Sequence, residues 1–260
     1  MRHQPLLAKI SLAAFVAGFL CALTASLGTR FGLWDYTLGL KILMPAVAVG
    51  CIGLVAGLAW IWRALAINNS EGWRYGAIGL IGSALLVGIP ADYLWLSVSL
   101  PPIHDVSTDI GDAPKFETLL SWRKDAPNPA SYDGPAIVAY DGVKMTTALA
   151  QKYAYPDIKP LERLKMQYTW KEFYGKMFWR ALNLANAFGW QIAAFDYKTG
   201  RIEATDTSFW FGVTSDIVIR IRPAGALGVR IDIRSKSRVG QADCGRNAEI
   251  IRPFLVLMRQ

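Results

Sequence analysis

The sequence predicts an integral membrane protein that carries a separate α+β domain, and three observations point to it. Three apolar runs, each long enough to cross a bilayer, fill the first hundred residues. One strongly amphipathic helix with a capping-box start follows in the second half of the chain. After that helix the apolar period changes to two, over a series of turn-bounded segments that read as hairpins. The expected architecture is a three-helix N-terminal transmembrane bundle, then a two-layer domain in which a four-stranded antiparallel sheet packs against helices.

The spans come first. They are expected at about 6–27, 38–62 and 75–100, within a transmembrane region of residues 1–100. A helix needs roughly 20 residues to cross about 30 Å of hydrocarbon, and each run exceeds that. The first run is too long for a signal-peptide core, and Phe19-Leu20 ahead of Cys21 does not suit a lipoprotein site, so it is expected to remain uncleaved. Arg2, Lys9, Arg63 and Arg74 lie on one side of the membrane, against Arg30 and Lys41 on the other. The positive-inside rule then puts the N-terminus in the cytoplasm and, after three crossings, the C-terminal domain outside it. Gly53, Gly57, Gly72, Gly76, Gly79 and Gly82 permit close helix packing, within the bundle or between copies. Asp92, the one acid inside a span, is costly without a partner, and Lys41 at a comparable depth is expected to pair with it.

Composition agrees with this division. Hydrophobic residues make up 53% and charged residues 18%, on the membrane side of the usual ~45–50% and ~25%. The net charge of +8 is modest, and its signs are interspersed, which suits contact with anionic lipid and makes no case for nucleic acid, so no nucleic-acid partner is expected. Only two histidines, His3 and His104, are present, so a His-rich metal site is excluded and no metal or cofactor is expected. Cys21 and Cys51 sit in apolar runs as packing residues, and Cys244 is alone in the domain, which excludes an intradomain disulfide.

The extracytoplasmic domain is expected over residues 101–260. Pro101-Pro102 ends the third span. Asp125 to Pro135 reads as a surface loop, Gly142 to Tyr153 as a short helix, and Tyr155 to Pro160 as a connector. Thr169 and Glu172 form the capping box. Trp170, Phe173, Met177, Ala181, Leu184 and Phe188 follow at helical spacing, with Gly189 as the stop. Strands are expected at Trp190–Phe195, Arg201–Phe209, Asp216–Arg222 and Leu227–Arg234. In the last pair Ile217, Ile219, Ile221, Leu227, Val229, Ile231 and Ile233 share one face, and Arg220, Arg222, Arg230, Asp232 and Arg234 share the other. Such alternation predicts one packed side and one wet side. Asp243 caps a last helix with a stripe of Cys244, Ala248, Ile251, Leu255 and Met258, which Pro253 should kink or end.

Four blocks in order resemble a known family. They are Pro101 to Asp109, Tyr155 to Leu161, Gly200 to Thr205, and Arg234 to Gly240 continuing through Asp243, Gly245 and Asn247. Together they resemble the family known as domain of unknown function 1499. The family pattern has two acids where Ser215-Asp216 stands, serine at Ala242 and an aliphatic at Cys244. The resemblance implies a membrane-anchored bacterial envelope protein, with inner-membrane and periplasmic parts, and implies no chemistry.

The residues contain no G-x-S-x-G, Walker A, G-x-G-x-x-G or H-E-x-x-H motif, so no catalytic residue is assigned. The candidate ligand-binding residues are Arg220, Arg222, Arg230, Arg234, Lys236 and Arg238, a cluster able to hold phosphate or carboxylate groups. The opposing reading is a solvated sheet with cross-strand pairs such as Glu203–Arg220 and Asp232–Arg222. The function expected is a non-catalytic periplasmic binding domain, for an anionic lipid headgroup or an envelope protein partner. The rival is a periplasmic hydrolase acting on an envelope lipid or glycan, using Ser235 or Ser237 with His104.

Overall fold

The structure is a computed structural model that describes residues 6–68, 70–164, 170–225 and 228–260. The Thr169 half of the capping box, Leu227 and the N-terminal Arg2 and His3 lie outside the described residues. The chain divides into two units, residues 1–95 with 209–212, and residues 96–208 with 213–260.

The first unit is helical. Helices α1 (Leu6–Arg30), α2 (Tyr36–Ala66) and α3 (Trp73–Ser99) are long and apolar enough to cross a membrane, and α3 continues into the second unit. Small residues let them meet: Ser11 Oγ donates to the Gly53 carbonyl at 2.8 Å. A Cβ at Gly79 would lie 2.5 Å from the Leu12 nitrogen, so only glycine allows that approach. Gly53, Gly57, Gly76, Gly79 and Gly82 are all buried, which places their packing inside this one bundle. Asp35 caps α2 by accepting from the Thr37 and Leu38 amides at 2.8 and 3.0 Å. Pro45 and Pro90 sit within α2 and α3 without ending them.

The second unit is a sheet with helices against one face. Its strands are β1 (Asp105–Ser107), β4 (Leu161–Leu164), β5 (Gln191–Asp196), β6 (Arg201–Thr207), β7 (Thr214–Ala224) and β8 (Gly228–Ser237), with order β1-β8-β7-β6-β5. All pairs are antiparallel. The four expected strands are β5 to β8. Two short strands add to the far edge of β8: β4 opposite its first half and β1 opposite its second. A β-bulge between Ile192 and Ala194 interrupts the edge strand β5, a local irregularity that discourages further pairing.

Ile217, Ile219, Ile221, Val229, Ile231 and Ile233 turn their side chains to one face, each at 1% exposure or less. Helices α6 (Trp170–Ala187) and α7 (Arg246–Arg259) cover that face. Of the stripe predicted for α6, Phe173, Met177 and Ala181 lie in the core, Leu184 and Phe188 pack partly buried against it, and Phe178 joins them. The Trp170 side chain lies outside what is described. Gly189, at φ 76°, provides the left-handed stop. Helix α7 runs through Pro253 instead of ending there. The proline is exposed, and its neighbours Phe254, Leu255 and Met258 are buried, so packing holds the helix across the missing bond. Cys244 precedes α7 in a left-handed conformation at φ 51°, and is therefore not part of the buried stripe.

The segment expected as one helix from Gly142 is divided. Strands β2 (Ile137–Tyr140) and β3 (Val143–Thr146) form a hairpin around Asp141 and Gly142, both at positive φ. This is the backbone that a two-residue turn matching strand twist requires. Helix α5 (Thr147–Ala154) follows, with the Thr146 side chain accepting from the Leu149 amide as its cap. A single turn, α4 (Leu119–Trp122), lies within the long segment between β1 and β2.

Candidate functional site

The second face of the sheet carries the charges, and it is not wet. Register places Glu203 and Thr205 of β6, Asp216 and Arg220 of β7, and Asp232, Arg234 and Lys236 of β8 on one side. Glu203, Asp216, Asp232 and Lys236 are fully buried and Arg234 nearly so. The cover is the segment between β1 and β2, whose carbonyls, carboxylates and rings meet the sheet's cations.

Arg234 is the centre of that contact. Its Nε and Nη2 donate to both oxygens of Asp105 at 2.8 Å each. Its remaining donors reach the carbonyls of Pro114, Ala130 and Ser131 at 3.1, 3.1 and 2.9 Å. The guanidinium also lies over the rings of Phe116 and Tyr132, at 4.8 and 5.3 Å. Lys236 Nζ donates to the Ser131 carbonyl at 2.7 Å and to Asp133 at 2.6 Å. Asp216 accepts from Arg123 on one side and from Arg238 Nη2 at 2.8 Å on the other. Burial pulls the Arg123 pKa below its ordinary value, against the attraction of Asp216. Arg234 and Lys236 therefore spend their donors on protein oxygens, whereas the Arg238 side chain, 23% exposed, is tied to Asp216.

The other three candidates sit at the more open end. Arg220 donates to Asp232 at 3.0 Å and Arg230 donates to the same carboxylate at 3.0 Å. Arg222 and Arg230 reach Asp109 at 2.9 and 2.6 Å. Burial would raise the Asp109 pKa, but the amides of Asp112 and Gly111 and the charges of Arg230 and Arg222 outweigh it and hold it low. Asp112 differs from these two acids: its side chain is 60% exposed, and one oxygen accepts from Arg220 at 3.0 Å and Arg222 at 3.1 Å. A shallow cavity of about 300 Å³ opens beside it, lined by Asp112, Lys115, Glu117, Thr199, Arg201 and Arg220 among others.

Of the two cross-strand pairs expected, Arg222–Asp232 forms at 3.3 Å. Glu203 does not turn to Arg220. It accepts instead from the Glu117 and Leu119 amides at 2.8 Å each, and from Arg201 at 3.2 Å, and so fixes the start of α4. Lys41 and Asp92 are not brought together. Both are exposed on the bundle surface, and no ion pair between them occurs among the described residues.

His104 is committed as well. Its Nε2 faces Asp133 at 2.9 Å and its Nδ1 faces the Gln241 carbonyl at 3.1 Å, so both nitrogens face oxygens of the protein. Neither is left to activate a hydroxyl. Ser235 donates to Asn247 Oδ1 at 2.6 Å, and Ser237 accepts from Asn247 Nδ2 at 3.0 Å, so these serines belong to a buried cluster on the opposite face. Ser215 joins that cluster through Ser237 at 3.3 Å. Burial raises the Cys244 thiol pKa, which removes the thiolate a reactive cysteine needs.

The carboxylates of this site, Asp105, Asp109, Asp112 and Asp133, and its Arg123, were missed in the sequence because none falls in a periodic element. Asp105 and Asp109 lie inside the Pro101–Asp109 block, which is the one signal that could have found them.

Three apolar helices joined to a sheet whose charged face is closed by its own loop define a membrane-anchored α+β protein. The family model described as "Protein of unknown function (DUF1499)" matches residues 105–257, more than half of the chain, and the chain belongs to that family. No curated protein matches the sequence.

Two predictions follow from the buried charges. Replacing Asp105 with alanine leaves Arg234 buried beside unpaired donors, and thermal or denaturant unfolding of the full chain in detergent should show a loss of about 3–5 kcal/mol. The second concerns His104. Burial alone would lower its pKa, but Asp133 and the Gln241 carbonyl outweigh that and hold it above 6.5. A raised folded-state pKa contributes stability that is complete below about 6.5 and fades as pH rises through the folded value. Burial likewise opposes the low pKa of Asp133, which His104 and Lys236 nevertheless hold at about 2, so its share is lost only in strong acid. Unfolding curves should therefore show stability falling as pH rises from 6.5, and His104→Gln should flatten that slope.

Proposed function

We propose that this is a bacterial inner-membrane protein with a cytoplasmic N-terminus, whose periplasmic domain is a non-catalytic binding module for anionic lipid headgroups. Four basic residues on the N-terminal side of the spans, Arg2, Lys9, Arg63 and Arg74, support the orientation. Arg220 and Arg222 are the ligand-holding side chains in this reading, with Arg230 beside them. Arg234 and Lys236, both buried, keep the site's floor in shape.

The observation that carries the reading is the exposed carboxylate of Asp112, bridging two guanidiniums that a phosphate could bridge in the same way. An ion pair with a solvent-exposed partner contributes about 0–1 kcal/mol, so a ligand phosphate competes with it on nearly equal terms. Asp232, fully buried beneath the same arginines, is not exchangeable by that argument. Asp112 is thus a lid held by the ligand's own contacts. No comparable geometry supports a hydrolase, because the one histidine of the domain has both nitrogens engaged.

Titration of the full chain in detergent with glycerol phosphate tests the site. Asp112→Ala should strengthen binding several-fold, and Arg220→Gln with Arg222→Gln should weaken it by about 1 kcal/mol per residue at low salt. Equal affinity in all three would sink the proposal. For the orientation, a reporter fused after Gln260 should be active outside the cytoplasm, and one placed in the α2–α3 loop should be active inside. The reverse pattern overturns it.

A further inference from the structure

Two cavities open along the segment that covers the sheet's charged face. The smaller, of about 300 Å³, is the one beside the Asp112 carboxylate. The larger, of about 510 Å³, is lined by Ala113, Phe116, Leu120, Ala130 and Tyr132, with the committed Arg234 among its other neighbours. Asp112 and Lys115 line both. The cavities thus flank one short stretch of chain, with charged groups prevailing in the first and carbon in the second.

Two side chains on that stretch have no use within the domain. Lys115 is exposed and makes no ion pair among the described residues, unlike its neighbour Arg201, which is held by Glu117 and Glu203. Leu120 is 51% exposed, whereas Leu119 beside it is fully buried in the small cluster with Phe116 and Val218. The single turn α4 therefore turns one leucine inward and one toward the larger cavity. Glu203 holds that turn in place through the Leu119 amide at 2.8 Å.

The walls of both cavities stay in place when the Asp112 carboxylate gives way. The Asp112 carbonyl accepts from Arg220 Nη2 at 2.7 Å, and its amide donates to Asp109 at 3.0 Å, so the backbone is pinned on both sides. Displacing the side chain frees one Nη1 donor on Arg220 and one on Arg222. A bare phosphate would use those donors and leave the larger cavity empty. A phosphate ester with an aliphatic chain would use both, and about 510 Å³ lies within the roughly 300–1,000 Å³ of small-molecule sites. We infer that the domain takes a single phospholipid molecule, with its phosphate at Arg220, Arg222 and Lys115 and the start of an acyl chain against Phe116 and Leu120. The inference rests on the phosphate reading above, to which it adds Lys115 and the apolar cavity.

The test titrates the full chain in detergent with glycerol phosphate, hexanoyl glycerol phosphate and hexanoyl glycerol, with protein-free micelles as the blank. Each buried methylene is worth about fourfold in affinity, so hexanoyl glycerol phosphate should bind about tenfold or more tighter than glycerol phosphate. Hexanoyl glycerol, which lacks the charge, should bind far more weakly than its phosphate. Leu120→Gln should cut the preference for the acylated phosphate several-fold. Leu149→Gln, at a leucine of α5 that is 41% exposed and outside both cavities, should keep it. Lys115→Gln should weaken both phosphates several-fold and leave their ratio unchanged. All three side chains are on the surface, so a melting temperature close to that of the parent chain should accompany each variant. Equal affinity for the two phosphates overturns this inference and leaves the phosphate site standing. A preference that survives Leu120→Gln, or hexanoyl glycerol binding as tightly as its phosphate, overturns it too. Lys115→Gln without effect overturns the place given to that lysine. Failure of both phosphates to bind defeats the phosphate reading itself, and this inference with it.

Discussion

The bidentate pair between Asp105 and Arg234 is the constraint from which the rest of the domain's polar face follows. Two charges with almost no exposure survive only because each finds its full set of partners. Asp105 is on the first strand after the last span, and Arg234 is on the long central strand. Satisfying Arg234 further requires three carbonyls and two aromatic rings from the segment between β1 and β2. One side chain thus specifies where more than twenty residues of irregular chain must lie.

The energetic meaning of that pair differs from the meaning of the opposite face. Burial of the Ile ladder under α6 and α7 supplies driving force, at about 25 cal/mol per Å² of apolar area removed from water. A buried ion pair supplies little net driving force, because desolvation offsets its attraction, whereas loss of one partner is severe. The apolar face therefore makes the domain stable, and the charged face decides which loop covers it. Glu203 acts in the same sense, since it holds the amides at the start of α4 instead of pairing across the sheet.

This closure is weakest at one margin of the sheet. Asp105 and Asp216 are fully buried, and Arg234 and Arg123, which they hold, are almost without exposure. Asp112 is a partner open to water, at the margin of the covering segment, bridging Arg220 and Arg222 beside a shallow cavity that Arg220 lines. The gradient from fully desolvated to exchangeable ion pairs across one sheet face is the physical basis for assigning the cations different roles. In the sequence the six look alike.

The sequence by itself determined the features that depend on local periodicity. The three spans, the α6 stripe ending at Gly189, the isoleucine alternation of β7 and β8 and the family's motif blocks are all legible, because each repeats at the period of its own backbone. The hairpin at Asp141-Gly142 was obscured by a helical reading of the residues after it, since four-residue strands are too short to establish a period. Tertiary structure alone decided that the arginine face is covered, that Arg234 and Lys236 are buried while Arg220, Arg222, Arg230 and Arg238 stay partly exposed, and that Lys41 and Asp92 form no ion pair. The segment that covers the face has no period, and its carboxylates find their partners about a hundred residues away. Which acid meets which cation is settled by chain reversal and desolvation in three dimensions, which no local pattern of residues encodes.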